Sequence, residues 1–194
     1  HGYWKATGDT SVFFFFLSSA MRLIIKTFRE QQRKESPGPY KFQRVTGWQT
    51  DTVAGAGYGN PVNPVGLIVS IFRSSDDATI WPFLIPSNYF AVSALRKMGE
   101  IAADVTHDEA LLADATALAD EVDAALAKYA RAIHPELGEI IPYETDGYFN
   151  FNFMDDANVP SLLSMPYLGT IDRSNPLYLR TRKFVLSKSN PYYF

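Results

Sequence analysis

The 194-residue sequence carries 18 Lys+Arg against 21 Asp+Glu, a formal net charge of −3, and 46% hydrophobic residues, which suits one soluble globular domain or a large piece of one. Near-neutral charge and a pI near 5.6 give no electrostatic reason to hold a phosphate backbone or an anionic membrane, so neither nucleic acid nor a membrane is an expected partner. The longest apolar run, residues 12–17, falls far short of the roughly 20 residues of a bilayer-spanning helix, and the absence of cysteine excludes disulfides, thiolate metal sites and a thiol nucleophile.

No basic segment followed by an apolar one stands at the start, so no signal peptide is expected, and the compartment stays open between secreted and cytoplasmic. Met21, Leu23, Ile24, Ile25 and Phe28 predict a helix over 18–34 with these residues on its apolar face, stopped by Ser36-Pro37-Gly38-Pro39. From 40 to 77 helical periodicity is lost. Gly55, Gly57, Gly59, Pro61, Pro64 and Gly66 predict a long ordered loop with short strands at 40–44 and 67–72, and loops of that length in a compact domain are often functional.

A second helix is predicted from Pro86-Ser87 to near Thr106, with Ser87 as N-cap and Phe90, Leu95, Met98, Ile101 and Val105 buried. The third is the most strongly patterned. Thr106 and Glu109 form a capping box, and Leu111, Ala115, Leu118, Val122, Leu126, Tyr129 and Ile133 repeat at helical spacing over 106–133. The short junction between these helices predicts antiparallel neighbours. A second loop, 136–159, is rich in Tyr, Phe, Asn and Asp, and two more helices are expected over 161–168 and 177–187, each after a proline. The expectation is an all-α fold of five helices with no sheet larger than a hairpin and the long loops gathered on one face.

Gly55-Ala56-Gly57-Tyr58-Gly59 opens no helix and lacks a Gly-Lys-Ser/Thr, so it reads as a flexible loop and not a phosphate cradle. His1, His107 and His134 are too dispersed for a zinc triad or a serine–histidine relay, and no metal or cofactor is expected. The chemistry that remains is carboxylate chemistry. Two acidic doublets stand out: Asp76-Asp77, just before the aromatic–proline stretch Trp81-Pro82-Phe83, and Asp155-Asp156, followed by Asn158. Adjacent acids in a cleft repel, which favours one staying protonated, as a general acid must. The competing reading is that such doublets cap helices or bind the N–H groups of turns.

The stretches GLIVSIFRSSDDAT (66–79), PFLIPSN (82–88) and MDDANVPSLL (154–163) resemble glycoside hydrolase family 125, as do WKATGD (4–9), TFREQQ (27–32), YKFQR (40–44) and TRKFVLS (181–187). The resemblance runs through nearly the whole chain. It implies an exo-acting α-1,6-mannosidase built on an (α/α)6 barrel, inverting and metal-independent, with a mannose-containing oligosaccharide as substrate. It further implies the doublet Asp76-Asp77 as catalytic, with Asp155, Asp156 and Asn158 lining the sugar site; within the doublet, whose order the resemblance leaves open, Asp76 is taken as the acid and Asp77 as the neighbour that orients it or binds a sugar hydroxyl.

Arg73 is a candidate for binding sugar hydroxyls, or alternatively pairs with one of the doublet. Trp81 and Trp48 are candidate sugar platforms, or alternatively packing residues. Ser74 stands where the family usually has proline. The family's early Trp-Leu-Arg-Asp stretch and the late segment with its general base have no counterpart, so residues 1–194 are expected to be the central piece of a catalytic domain, inert alone or completed by the missing parts as separate chains. Another helical-barrel carbohydrate enzyme, such as a glucoamylase-like hydrolase or a phosphorylase, and a non-catalytic sugar-binding fragment are the alternatives.

Overall fold

A computed structural model describes residues 1–13 and 15–193; Phe14, part of the apolar run 12–17, and the terminal Phe194 lie outside the described residues. The protein is mostly helical. Its helices are α1 (Gly2–Thr7), α2 (Phe15–Gln31), α3 (Ile85–Ile101), α4 (Glu109–Tyr129) and α5 (Pro176–Val185). No described helix is long and apolar enough to cross a membrane.

The all-α expectation needs correction, because five short strands occur among the described residues: β1 (Phe83–Leu84), β2 (Ala132–His134), β3 (Gly138–Ile140), β4 (Glu144–Thr145) and β5 (Phe151–Asn152). β2 and β3 form a hairpin, while β1, β4 and β5 form a three-stranded antiparallel sheet with Leu84 opposite Glu144 and Glu144 opposite Asn152. That sheet exceeds the expected hairpin, although each of its strands is only two residues long.

α3 and α4 pack together at the centre of the core, which also takes in Met21, Leu67, Phe83, Tyr143 and Phe184. Gly99 lies against Leu112 and Thr116, Arg96 pairs with Asp120, and the Arg131 guanidinium donates to the Tyr89 hydroxyl at 2.8 Å. Contacts that descend one helix while ascending the other mark an antiparallel pair, as the short junction predicts. Leu111, Ala115, Leu118, Val122 and Leu126 are all buried on the predicted stripe. Each of the larger ones is worth about 1.5–3 kcal/mol out of water.

The ends of these helices differ from the sequence reading. α3 widens into a π-helical turn over Ala102–Thr106 and stops at a left-handed His107. The first free N–H groups of α4 therefore fall to Asp108, whose Oδ1 accepts from the Leu111 N–H at 3.0 Å, while Thr106 Oγ1 is buried and makes no capping bond. α4 ends at Tyr129, and Ile133 lies exposed in β2. Ser87 is not the N-cap of α3. β1 runs directly into the helix, with Leu84 in the cap position and the Ile85 N–H bound to the Tyr143 carbonyl at 2.9 Å. Phe90, expected inside, is 40% exposed.

In α2, Met21 and Ile25 are buried and Phe28 is half-buried, whereas Leu23 and Ile24 face outward, since at about 100° per residue they fall off the 21–25–28 stripe. The helix expected over 161–168 is a series of turns. Pro166 removes one donor from it, and the Ser161 and Ser164 side chains take up local backbone N–H groups.

Neither loop segment proposed as a strand joins a regular ladder. The Phe42 N–H donates to the Gly57 carbonyl at 3.0 Å, and a Cβ at Gly57 would sit 3.0 Å from the Phe42 backbone, so this glycine serves close backbone approach. In the 67–72 segment the hydrogen bonds go to a side chain. Asn88, buried on α3, accepts from the Ile68 N–H at 2.7 Å and donates to the carbonyls of Ile68 and Leu84, both at 2.9 Å.

Candidate active site

After the Asn88 attachment the chain turns back on itself. Phe72 bridges Ala78, the Arg73 N–H donates to the Asp77 carbonyl at 2.7 Å, and the Asp76 N–H donates to the Arg73 carbonyl at 3.1 Å. Closing so tight a turn puts Asp76 in the left-handed region at φ 69°, a conformation that aspartate tolerates better than most residues. Asp76 is exposed and its carboxylate makes no hydrogen bond among the described residues, whereas the Asp77 carboxylate accepts from the Ser75 hydroxyl at 3.2 Å and lies in the field of Arg73. Neighbours in sequence thus have different surroundings.

Beneath the turn is a buried ion pair. Arg73 Nε donates to Glu144 Oε1 at 2.6 Å, with the arginine side chain 10% exposed and the glutamate fully buried. Glu144 Oε2 accepts from the N–H groups of Ile80 at 3.1 Å and Trp81 at 3.2 Å, and from Asn152 Nδ2 at 3.0 Å. Burial alone would lower the Arg73 pKa; the hydrogen bond to Glu144 and its charge outweigh this and raise it. Arg73 therefore pairs with Glu144 and not, as one reading of the sequence had it, with the doublet. Its Nη2 is buried with no acceptor among the described residues.

The two doublet-bearing loops meet. Ser74 Oγ donates to the Pro160 carbonyl at 3.2 Å. Arg73 lies 5.9 Å from the centre of the Tyr143 ring, and the Tyr143 hydroxyl reaches Asp156 Oδ2 at 3.5 Å. Burial pushes the Asp156 pKa up, but the N–H groups of Asn158 and Ser75, the Ser75 hydroxyl that it shares with Asp77 and the Tyr143 hydroxyl together hold it below the usual carboxylate value. Burial, with the charges of Asp156 and Asp155 added, drives the Tyr143 hydroxyl far up, so it stays a donor.

Asp155 has a different job. Its Oδ1 accepts from the Leu162 N–H at 2.7 Å and its Oδ2 from the Leu163 N–H at 3.0 Å, the capping role weighed for it from sequence, here on turns in place of a helix. Burial raises its pKa to about 6 despite those donors. Asn158 is exposed and bound to Asp156 Oδ1 through its own N–H at 2.9 Å.

Trp81 is half-buried beside the Glu144 pair. Trp48 is 74% exposed on a turn whose Thr50 carbonyl accepts the Ala78 N–H at 2.8 Å, which ties it to the acidic turn. No three His, Asp or Glu side chains among the described residues converge as a metal site.

Sequence reasoning passed over Tyr143 altogether and treated Glu144 only as a leftover acid. The available signal was an acid directly after the apolar run Ile140-Ile141-Pro142-Tyr143, since a carboxylate carried into the interior by such a run demands a cation and several donors.

Comparison with known proteins supplies the context. The chain is 38% identical over 201 residues to the meiotically up-regulated gene 157 protein of Schizosaccharomyces pombe, an alignment covering 98% of this chain and 39% of that protein. A Streptococcus pneumoniae structure from work on metal-independent α-mannosidases, in a non-productive substrate complex with α-1,6-mannobiose, superposes at a TM-score of 0.93 with 38% identity, covering 98% of this chain and 45% of that one. The chain thus spans less than half the length of these two relatives. The family model for metal-independent α-mannosidases matches residues 1–194 from end to end, and the chain belongs to glycoside hydrolase family 125.

Proposed function

We propose that this chain carries the proton-donating side of an exo-α-1,6-mannosidase site that works with inversion. The observation that carries the reading is the asymmetry of the first doublet. Asp76 stands exposed at the tip of a braced turn, while Asp77 accepts from the Ser75 hydroxyl at its carboxylate and from the Arg73 N–H at its carbonyl. In this reading Asp76 gives its proton to the glycosidic oxygen, and Asp77 orients it or binds a sugar hydroxyl. Arg73 stands beside the doublet as the candidate for a sugar hydroxyl, Asp156 and Asn158 line the sugar pocket, and Trp81 and Trp48 offer flat faces to the ring.

Inversion also needs a carboxylate on the far side of the sugar, roughly 6.5–9.5 Å from the acid, to activate water. Glu144 does not suit that task, since it is fully buried and already accepts four hydrogen bonds. Asp146 accepts from Tyr148 and Asn150, and Asp155 caps a turn. Glu136 and Glu139, like these, match no base motif of the family, and in line with the resemblance we assign the base to the part of an (α/α)6 barrel that residues 1–194 do not supply, which makes this chain one piece of a catalytic domain and inert without the rest.

Incubation of the full chain, alone and joined to the remainder of a family 125 barrel, with α-1,6-mannobiose tests the reading. Proton NMR should show the β-anomer of mannose appearing first, and only in the completed protein. Appearance of the α-anomer first would exclude inversion. Phosphate-dependent release of mannose 1-phosphate would favour a phosphorylase, and binding without release from the completed protein would favour a sugar-binding role.

A further inference from the structure

We propose that Glu144 is the positioning residue of the acidic turn: by taking hydrogen bonds from both limbs of residues 73–81 it fixes where Asp76 and Asp77 stand. This rests on the mannosidase reading above. The turn's own bonds, Arg73 to Asp77, Asp76 to Arg73 and the Phe72–Ala78 bridge, close the tip but do not tie it to the body of the protein. Ser74, Ser75 and Ala78 each add a tie at one point, to Pro160, Asp156 and Thr50, and Glu144 is the group that takes both limbs at once. Its Oε1 takes Arg73 Nε from the entering limb, and its Oε2 takes the N–H groups of Ile80 and Trp81 from the leaving limb.

The carboxylate itself has little freedom. Its backbone sits in β4, paired to β1 on one side and β5 on the other, and Asn152 on β5 donates to Oε2. Full burial excludes water as a substitute acceptor. Only a carboxylate fits here, because four donors converge on two oxygens and the group opposite must accept from both sides. Glutamine keeps the volume but turns an NH₂ toward one set of donors. The smaller loss is to face that NH₂ toward Arg73 Nε, so Glu144→Gln cuts the entering limb and leaves the bonds to Ile80 and Trp81.

A merely structural role and a positioning role predict different kinetics. In the completed mannosidase, Glu144→Gln is expected to lower kcat on α-1,6-mannobiose by about 10²-fold, the scale on which misplacing a catalytic group by about 1 Å acts, with KM little changed. On an aryl α-mannoside whose leaving group needs no proton, kcat should fall by less than about threefold, because a misplaced proton donor matters little there. Equal losses on both substrates would mean a smaller active fraction and would overturn the proposal, as would an unchanged kcat.

A second readout does not depend on turnover. In ¹⁵N–¹H spectra of the full chain, Glu144→Gln should shift the Arg73 Nε–H resonance and, with it, the amides of Asp76 and Asp77. Amides of Asp76 and Asp77 that stay in place while Arg73 shifts would refute positioning. Should the unsubstituted completed protein cleave neither substrate, the mannosidase reading fails and these spectra alone decide the role of Glu144.

Discussion

Arg73 and Glu144, 71 residues apart in sequence, form a 2.6 Å hydrogen-bonded ion pair in which the glutamate is wholly buried and the arginine nearly so. Such a pair is costly to split, since the partner left behind is a buried charge without compensation. Arg73→Met should therefore destabilise the fold by about 3–5 kcal/mol in denaturant titration. Adding Glu144→Gln should cost less than the sum of the two single changes, with a coupling of about 0.5–3 kcal/mol. Additive losses would show that the two side chains do not depend on one another.

Asp76→Asn in a completed enzyme should reduce turnover of α-1,6-mannobiose by about 10²–10⁴-fold, and by much less for an activated aryl mannoside, while sugar affinity largely survives. Parallel measurement on Asp77→Asn decides the order of the doublet. If Asp77→Asn shows the leaving-group dependence and Asp76→Asn does not, the roles are reversed.

Asp155 makes stability depend on pH in the direction opposite to most carboxylates. Its pKa is about 6 in the folded chain against 3.8 as the ordinary value, so between these the folded state binds the extra proton. The associated stability is fully present below pH 3.8 and is lost as pH rises through about 6, a difference on the order of 3 kcal/mol. Denaturant unfolding from pH 4 to pH 7 should show this decline relative to Asp155→Asn. A constant difference between the two proteins over that range would contradict it.

Gly147, next to the buried Asp146, has φ +80° and lies so close to Asn63 that a Cβ would meet its carbonyl oxygen at 2.8 Å. Gly138 has a similar φ of +73° but open space around it. Both Ala variants incur backbone strain, about 1–3 kcal/mol each, and Gly147→Ala should incur the clash as well. Its urea midpoint should fall further than that of Gly138→Ala, and equal midpoints would show that the Asn63 contact yields freely.

What the sequence disclosed follows from how local each feature is. The stripe from Leu111 to Leu126 repeats within one helix, so its burial could be read directly. The acidic doublets could be singled out because two adjacent aspartates are conspicuous in the sequence itself, and the structure brings their loops together. Two-residue strands such as β1 and β4 carry too little period to detect, and their partners are remote in sequence. Glu144 was illegible as a brace for the same reason, since its donors come from residues 73, 80, 81 and 152. Leu162 and Met165 are buried at helical spacing and so suggested a helix, but nothing in that spacing reveals that serine side chains and Pro166 interrupt it.

Asn88 gives the acidic turn a mechanical property. Its side chain joins Ile68 to the first turn of α3, and only four residues separate Ile68 from Arg73. The approach to the turn thus has a short lever arm clamped at its root. A load applied to the outer face of α3 is transmitted toward Asp76 as a rigid displacement, because the intervening chain is too short and too well tethered to absorb it as slack.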